Sequence, residues 1–214
     1  MTRAETADAE LGLRDRKKVR VRATLVETAM RLFGERGYDA VTVEEIAAAS
    51  DVSRRTFFRY FATKEAVLMA RREGLANLLR DALASSAIDG RANRTREASP
   101  FEAVRAALLA LASEYVSTRD LILAERAMVR AVPALVLADI ELDRVYEAII
   151  AEHFLTHTGR AATDQRRAKI AAAAIVGTVR VVIDEWADSD GELDLARVGA
   201  EALDLLEPLA PGVR

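Results

Sequence analysis

The sequence contains no cysteine, so disulfide frameworks and thiolate chemistry are closed to it. It has only four prolines and ten glycines in 214 residues, so little interrupts a helix. The opening stretch MTRAETADAELGLRDRKK lacks the apolar segment of a secretory signal. The longest apolar run, Ala171 to Val179, is flanked by Lys169 and Arg180 and is too short to cross a bilayer. A soluble, cytoplasmic protein with no membrane partner is expected. Gly-rich phosphate loops, nucleophile elbows and paired catalytic carboxylates are also missing. No catalytic residue, no cofactor and no enzyme activity are therefore expected.

What is present favours helix. Alanine, leucine, arginine and glutamate dominate, and all are good helix formers. Hydrophobic residues make up 51% of the chain, enough for substantial cores. The net charge of −3 is unevenly placed. Residues 11–64 hold 12 Lys/Arg against 7 Asp/Glu, whereas residues 65–214 hold 18 against 24. A basic segment on an acidic body suits a protein of which one part meets a polyanion. A non-specific architectural DNA binder would be basic throughout, which this chain is not.

The apolar periodicity and cap residues divide the chain. Residues 1–15 read as a flexible basic arm. The basic run Arg14, Arg16, Lys17, Lys18, Arg20 and Arg22 could reach phosphate or a narrow minor groove, or simply form a solvated helix start. Val21, Leu25, Ala29, Leu32 and Phe33 make one stripe of a helix over about 16–36, capped by Gly37. Thr42-Val43-Glu44-Glu45 is a capping box opening a short helix to Ala49. Ser50-Asp51-Val52 is a turn, and Ser53 caps a helix over 54–60. Thr63 caps another to about Ser85. Residues 87–98 read as a loop. Ser99-Pro100-Phe101-Glu102 is a second capping box, for a helix to about Thr118. Further helices are expected over 120–132, where Pro133 breaks the pattern, over 134–157 up to Gly159, from a Thr163 cap to Trp186, and from an Asp194 cap to Pro208. The fold expected is all-α with about nine helices. A helix-turn-helix occupies 16–62, and a larger helical domain occupies 63–214.

In a helix-turn-helix the second helix enters the major groove by its first turns, while neighbouring elements hold phosphate. That helix opens Ser53-Arg54-Arg55-Thr56. Arginine can fork onto guanine, and threonine can donate, accept or touch a thymine methyl. Phe57 and Phe61, four apart, should face inward, leaving Phe58, Arg59 and Tyr60 for groove or backbone. Thr42 and Lys64 stand near helix starts, where phosphate binds well.

The stretch LFGERGYDAVTVEEIAAASDVSRRTFFRYFATKEAVL resembles the DNA-binding domain of TetR-type regulators. The resemblance is carried by Leu32-Phe33, Gly37-Tyr38, Thr42, Ile46-Ala47, Val52-Ser53, Thr56-Phe57, Tyr60-Phe61 and Lys64-Glu65, over about residues 16–70. It implies phosphate contacts from Thr42, Tyr60 and Lys64, and base contacts from the Ser53–Thr56 turn. Phe58 stands where the family usually has tyrosine, so that hydroxyl contact is absent. The run RRAKIAAAAIVGTVRVVIDEWADSDGELDLARVGAEALDLL is similar, more loosely, to actinobacterial members related to the mycofactocin-system regulator.

In the second half, Ile170, Ala173, Ala174, Gly177 and Val181 share one helix face, and Leu195, Val198, Ala202, Leu205 and Leu206 share another. By themselves these faces suit either the chain's own core or a partner. The resemblance implies a homodimer built from two such helices of each subunit, through Ala174, Gly177, Val181, Val198, Ala202 and Leu205. Effector pockets are mostly apolar with a few polar groups, which makes Tyr115, Met128, Tyr146, Phe154 and Trp186 candidates for an unidentified small molecule, each equally suited to an ordinary core. His153 and His157 share a helix face beside Glu152, but no third ligand is evident, so no metal is expected. The function expected is a sequence-specific regulator of transcription bound to a palindromic double-stranded operator. It would be a repressor released by a small apolar or amphipathic ligand.

Overall fold

A computed structural model describes residues 12–92, 99–158 and 160–209. Among these residues lie nine α-helices and no strand. They are α1 (Leu13–Arg36), α2 (Val43–Ala49), α3 (Arg54–Tyr60), α4 (Lys64–Ala92), α5 (Pro100–Ser117), α6 (Arg119–Ala131), α7 (Pro133–Thr158), α8 (Ala162–Asp188) and α9 (Leu195–Asp204). A short 3₁₀ turn, Glu207–Leu209, follows. No helix among the described residues is long and apolar enough to cross a membrane.

The caps explain most boundaries. Both capping boxes form: the Thr42 hydroxyl accepts the Glu45 N–H, the Ser99 hydroxyl accepts the Glu102 N–H, and each glutamate reaches back to its cap. Ser53, Thr63 and Asp194 each accept a backbone N–H three residues on. Gly37 ends α1 with a φ of +83°, a conformation that costs a side-chain-bearing residue about 1–2 kcal/mol. Its N–H satisfies the Phe33 carbonyl.

Four boundaries differ from expectation. The first helix begins at Leu13, inside the expected arm, because Leu, Arg and Lys extend a nucleated helix at little cost. Residues 1–11 of that arm lie outside the described residues. The helix expected to stop near Ser85 continues to Ala92, across half of the expected loop, as an extension of an already nucleated helix, and residues 93–98 lie outside the described residues. Thr163 is not a cap: α8 starts two residues earlier than expected, at Ala162, with Ala161 at the N-cap position and no side-chain cap. The last helix ends at Asp204, and Pro208 falls in the 3₁₀ turn. The stop assigned to Gly159 falls on a residue outside those described.

The chain forms two compact units, Met1–Arg71 and Arg72–Arg214, which divide inside α4. In the first, Leu25, Ala29 and Phe33 of α1, Ile46 of α2, Phe57 of α3 and Val67 of α4 are all buried. Phe57 has no exposed surface and meets Phe61 at 5.9 Å between ring centroids. Fully burying one such side chain contributes about 1.5–3 kcal/mol. In the second unit α7 runs along α8, and α9 packs on α8 and α5. Its interior holds two clusters, one around Leu79, Phe101, Ile150, Phe154 and Ile175, the other around Tyr115, Ile122, Trp186 and Leu195.

Candidate nucleic-acid interface and internal cavity

The turn between α2 and α3 is tight because Asp51 adopts a φ of +54°. Short polar side chains tolerate that region better than others. The Asp51 and Val52 N–H groups then satisfy the Ala48 and Ala47 carbonyls, so the end of α2 is closed by backbone. Ser53 follows as the cap of α3, with its Oγ 2.9 Å from Thr56 Oγ1.

With Phe57 anchored inward, helical geometry turns Arg54, Arg55, Phe58 and Arg59 outward, and all four are exposed. Arg55 and Arg59, four apart, share a face. Arg55 has no hydrogen bond or ion pair among the described residues. Arg54 is already engaged: its Nε lies 2.9 Å from Glu44, and its guanidinium stands 5.4 Å over the Phe58 ring. The Arg59 guanidinium lies 5.2 Å over the half-buried Tyr60 ring. Ser53 is exposed and Thr56 half-buried, each using its hydroxyl on the other.

Thr42 and Lys64 are brought together from opposite sides of the motif. Lys64 Nζ donates to the carbonyls of Tyr38 (2.8 Å) and Val41 (2.9 Å), and sits 4.0 Å over the Tyr38 ring. Lys64 therefore ties the connection between α1 and α2 to the start of α4, with one N–H left over. Next to it Tyr38 donates 2.7 Å to Glu65. Burial, then this hydrogen bond, raises the Tyr38 pKa. Burial would raise Glu65, but the hydrogen bonds from Tyr38 and the backbone outweigh it and hold it low. The Thr42 hydroxyl donates to Glu45 at 2.9 Å, and the Thr42 backbone N–H does so at 2.8 Å. That backbone bond, then Arg36, pulls the Glu45 carboxyl down to about 2.

The second unit contains a cavity of about 90 Å³. Its apolar wall includes Leu75, Leu108, Ile150, Ile175, Val179 and Leu203. Its polar wall comprises Arg72 from α4, Arg126 from α6, Asp143 and Tyr146 from α7, and Arg180 from α8. Arg72, Arg126 and Asp143 are buried, as is Asp139 behind them. Arg126 is held by Asp139 at 3.1 Å and by Asp184 at 2.5 Å. Arg72 pairs with Asp139 and stands 3.7 Å from Asp143, which also pairs with Arg180. The Tyr146 hydroxyl donates 2.9 Å to the Arg72 carbonyl.

Of the five candidate ligand residues, Tyr115 and Tyr146 line this cavity. Met128, half-buried on α6, does not. Phe154 and Trp186 are buried in the two core clusters, where their size is used for packing. The guanidinium and carboxylate lining was missed, because charges on helices ordinarily read as solvated faces. A signal existed: Arg72 stands between Leu68 and Leu75, Arg126 between Ile122 and Val129, and Asp139 between Leu135 and Leu142, each on an apolar stripe.

Among the candidate dimer residues, Gly177, Val181 and Leu205 are exposed, Val181 by 57% and Leu205 by 78%. Ala174 is half-buried. Val198 and Ala202 pack against the Trp186 cluster, so much of their surface serves their own core. On α7 the His153 and His157 rings are 4.7 Å apart, and His157 Nδ1 lies 2.9 Å from the His153 carbonyl. Burial, then the charge of His157, lowers the His153 pKa to about 4.

A capped helix-turn-helix whose second helix carries exposed arginines, joined to a larger helical unit with an internal cavity, defines a helix-turn-helix regulator. Residues 25–70 match the family model described as bacterial regulatory proteins of the tetR family, and residues 98–211 match the MftR C-terminal domain. The chain is 31% identical over 208 residues to the HTH-type transcriptional regulator TcmR of Streptomyces glaucescens, covering 92% of this chain and 87% of that protein. The fold is shared with the Thermus thermophilus repressor FadR, solved with lauroyl-CoA, at a TM-score of 0.54 and 28% identity over 86% of this chain and 92% of that one. It is also shared with SmeT of Stenotrophomonas maltophilia, solved with triclosan, at 0.62 and 21% over 91% and 94%. The chain belongs to the TetR family: it is a helix-turn-helix transcriptional regulator and not an enzyme.

Proposed function

We propose that the protein is a homodimeric repressor that reads a near-palindromic operator with α3 and leaves it when a small molecule enters the second unit. The observation that carries this reading is the pairing, in one chain, of an outward-facing Arg55 on a capped α3 with an internal cavity lined by α4. Arg55 and Thr56 read bases, with Ser53, Arg54 and Arg59 beside them. Thr42, Tyr60 and the remaining N–H of Lys64 hold phosphate. The exposed Gly177 and Val181 of α8, with the exposed Leu205 after α9, supply the contact with a second copy, whose two-fold symmetry the operator mirrors.

Helix α4 connects the two functions. It opens at Lys64, is shared by both units, and presents Arg72 to the cavity. At about 90 Å³ the cavity is below the ~300–1,000 Å³ of sites for drug-sized ligands, so such a ligand must widen it. A ligand that binds only the widened form shifts the protein toward it, and release follows if that form misfits the two half-sites. FadR bound to lauroyl-CoA supports a ligand role for the second unit.

Sequencing genomic fragments retained by the purified protein tests the reading, together with sedimentation of the complex. The expected result is an enriched near-palindrome bound by two chains. An asymmetric site bound by one chain, or retention without sequence preference, overturns it.

A further inference from the structure

The polar wall of the cavity is lopsided. Three arginines, Arg72, Arg126 and Arg180, line it, against one acidic residue, Asp143. The carboxylates that balance the rest of the cluster, Asp139 and Asp184, do not line it. The three arginines come from three different helices, so only the packing of the unit brings them to one place. Arg126 Nε is also buried without a hydrogen-bond partner among the described residues. The remaining walls are almost wholly aliphatic.

We infer that the cavity takes a small amphipathic organic anion: an apolar body against the Leu75, Ile150 and Ile175 side, and an ionised carboxylate at Arg72, Arg126 and Arg180. This deepens the ligand role proposed above and rests on it. A carboxylate accepts two parallel N–H donors from one guanidinium, and such charge-assisted pairs are about twice as strong as neutral ones. The incoming acid group takes over the pairing that Asp143 now gives to Arg72 and Arg180. Burial, then the neighbouring Arg126 and Arg72 charges, lowers the Arg180 pKa, the direction expected where cations crowd together. An anion relieves that crowding, and a cation of the same shape adds to it. Because Arg72 lies on α4, the exchange of partners occurs on the helix that begins in the reading unit.

Octanoate, octanol and octylamine share one apolar body and differ in head charge, so they separate the two claims. Each is titrated into the full-length protein by calorimetry near pH 7.5. The expected order is octanoate tightest, by about tenfold or more over octanol, with octylamine weakest. The Arg180→Gln variant should lose the preference for octanoate and keep the affinity for octanol. Arg180 is the arginine to replace because its side chain is 34% exposed, and a thermal melt shows that the variant folds. Octanol binding as tightly as octanoate, or octylamine binding tightest, overturns the anion assignment and leaves the cavity as a ligand site. Unchanged selectivity in Arg180→Gln overturns the assignment too. Failure of all three probes to bind at millimolar concentration overturns both the assignment and the ligand role.

Discussion

Residues 12–71 and residues 72–209 are both helical and well packed, yet they treat charge in opposite ways. In the first unit the arginines of α3 are exposed, and the polar group buried among the described residues is Ser50. In the second, Arg72, Glu125, Arg126, Asp139, Asp143 and His153 are buried. A surface that must attract phosphate keeps its cations in solvent, where they steer and slide. The interior of the second unit does the reverse and carries its charges inside. Taking two charges out of water can cost more than their attraction returns, so apolar residues would often serve stability as well or better. Stability alone is a poor reason for such a cluster, and the ligand role proposed above gives it a use.

The largest effect expected follows from that contrast. Asp139 lies between Arg72 and Arg126, so Asp139→Ala should remove about 3–5 kcal/mol of stability by leaving buried arginines uncompensated. Denaturant unfolding measures it. The matched change in the first unit, Glu44→Ala, breaks only the exposed Arg54 pair and should cost less than about 1 kcal/mol. Similar losses in the two variants would erase the contrast.

Next come Arg55 and Lys64, which separate reading from scaffolding inside the first unit. Arg55→Ala should cost about 1–3 kcal/mol of operator affinity and relax sequence preference, with little change in melting temperature. Lys64→Met should weaken binding to all sequences and lower the salt slope by about one. It should also lower stability by about 1–3 kcal/mol, since the Tyr38 and Val41 carbonyls lose their donor. Binding curves at several salt concentrations, taken with melts, distinguish the two. A uniform loss in both variants would remove Arg55 from base reading.

A smaller effect belongs to the second unit. The folded-state pKa of His153, about 4, lies below its ordinary 6.5, so the unfolded chain binds the extra proton first. The neutral ring's contribution is complete above pH ~6.5 and is lost as pH falls toward 4. His153→Gln should therefore flatten the stability profile over that window, measured by denaturant midpoints at a series of pH values. An identical profile would place the titration elsewhere. The smallest effect is at the cap of α2: Thr42→Ala should cost about 1 kcal/mol. Because Thr42 is also one of the proposed phosphate contacts, the change should weaken binding slightly as well.

The two units also differ in legibility. The reading unit is written in local signals. Thr42, Ser53 and Thr63 are caps spaced a few residues apart, and each fulfils that role. Phe57 and Phe61 turn inward as their spacing requires. What escaped there was the structural use of Lys64, whose partners lie more than 20 residues away. In the second unit the helices were legible, but of the cavity only Tyr115 and Tyr146 were. Phe154 and Trp186 are large enough to suggest a pocket and are consumed by the core. Arg72, Arg126, Asp139 and Arg180 lie on four helices, and only tertiary packing makes them neighbours. Val198 and Ala202 could not be told apart from Leu205 by periodicity, since inward and outward apolar faces read alike.

Ligand-driven release requires that the exposed arginines of the first unit and the buried arginines of the second be energetically coupled through α4. Linkage makes that coupling reciprocal: whatever weakens DNA binding must itself be weakened by DNA, by the same factor. The direct measurement is the affinity for octanoate, by calorimetry, with the free protein and with the protein saturated by its selected operator duplex. Coupling through α4 predicts weaker octanoate binding on DNA by roughly 5- to 150-fold, the ordinary span of such effects. Equal affinities in the two states would show a ligand cavity with no hold on the reading unit, and would contradict ligand-driven release.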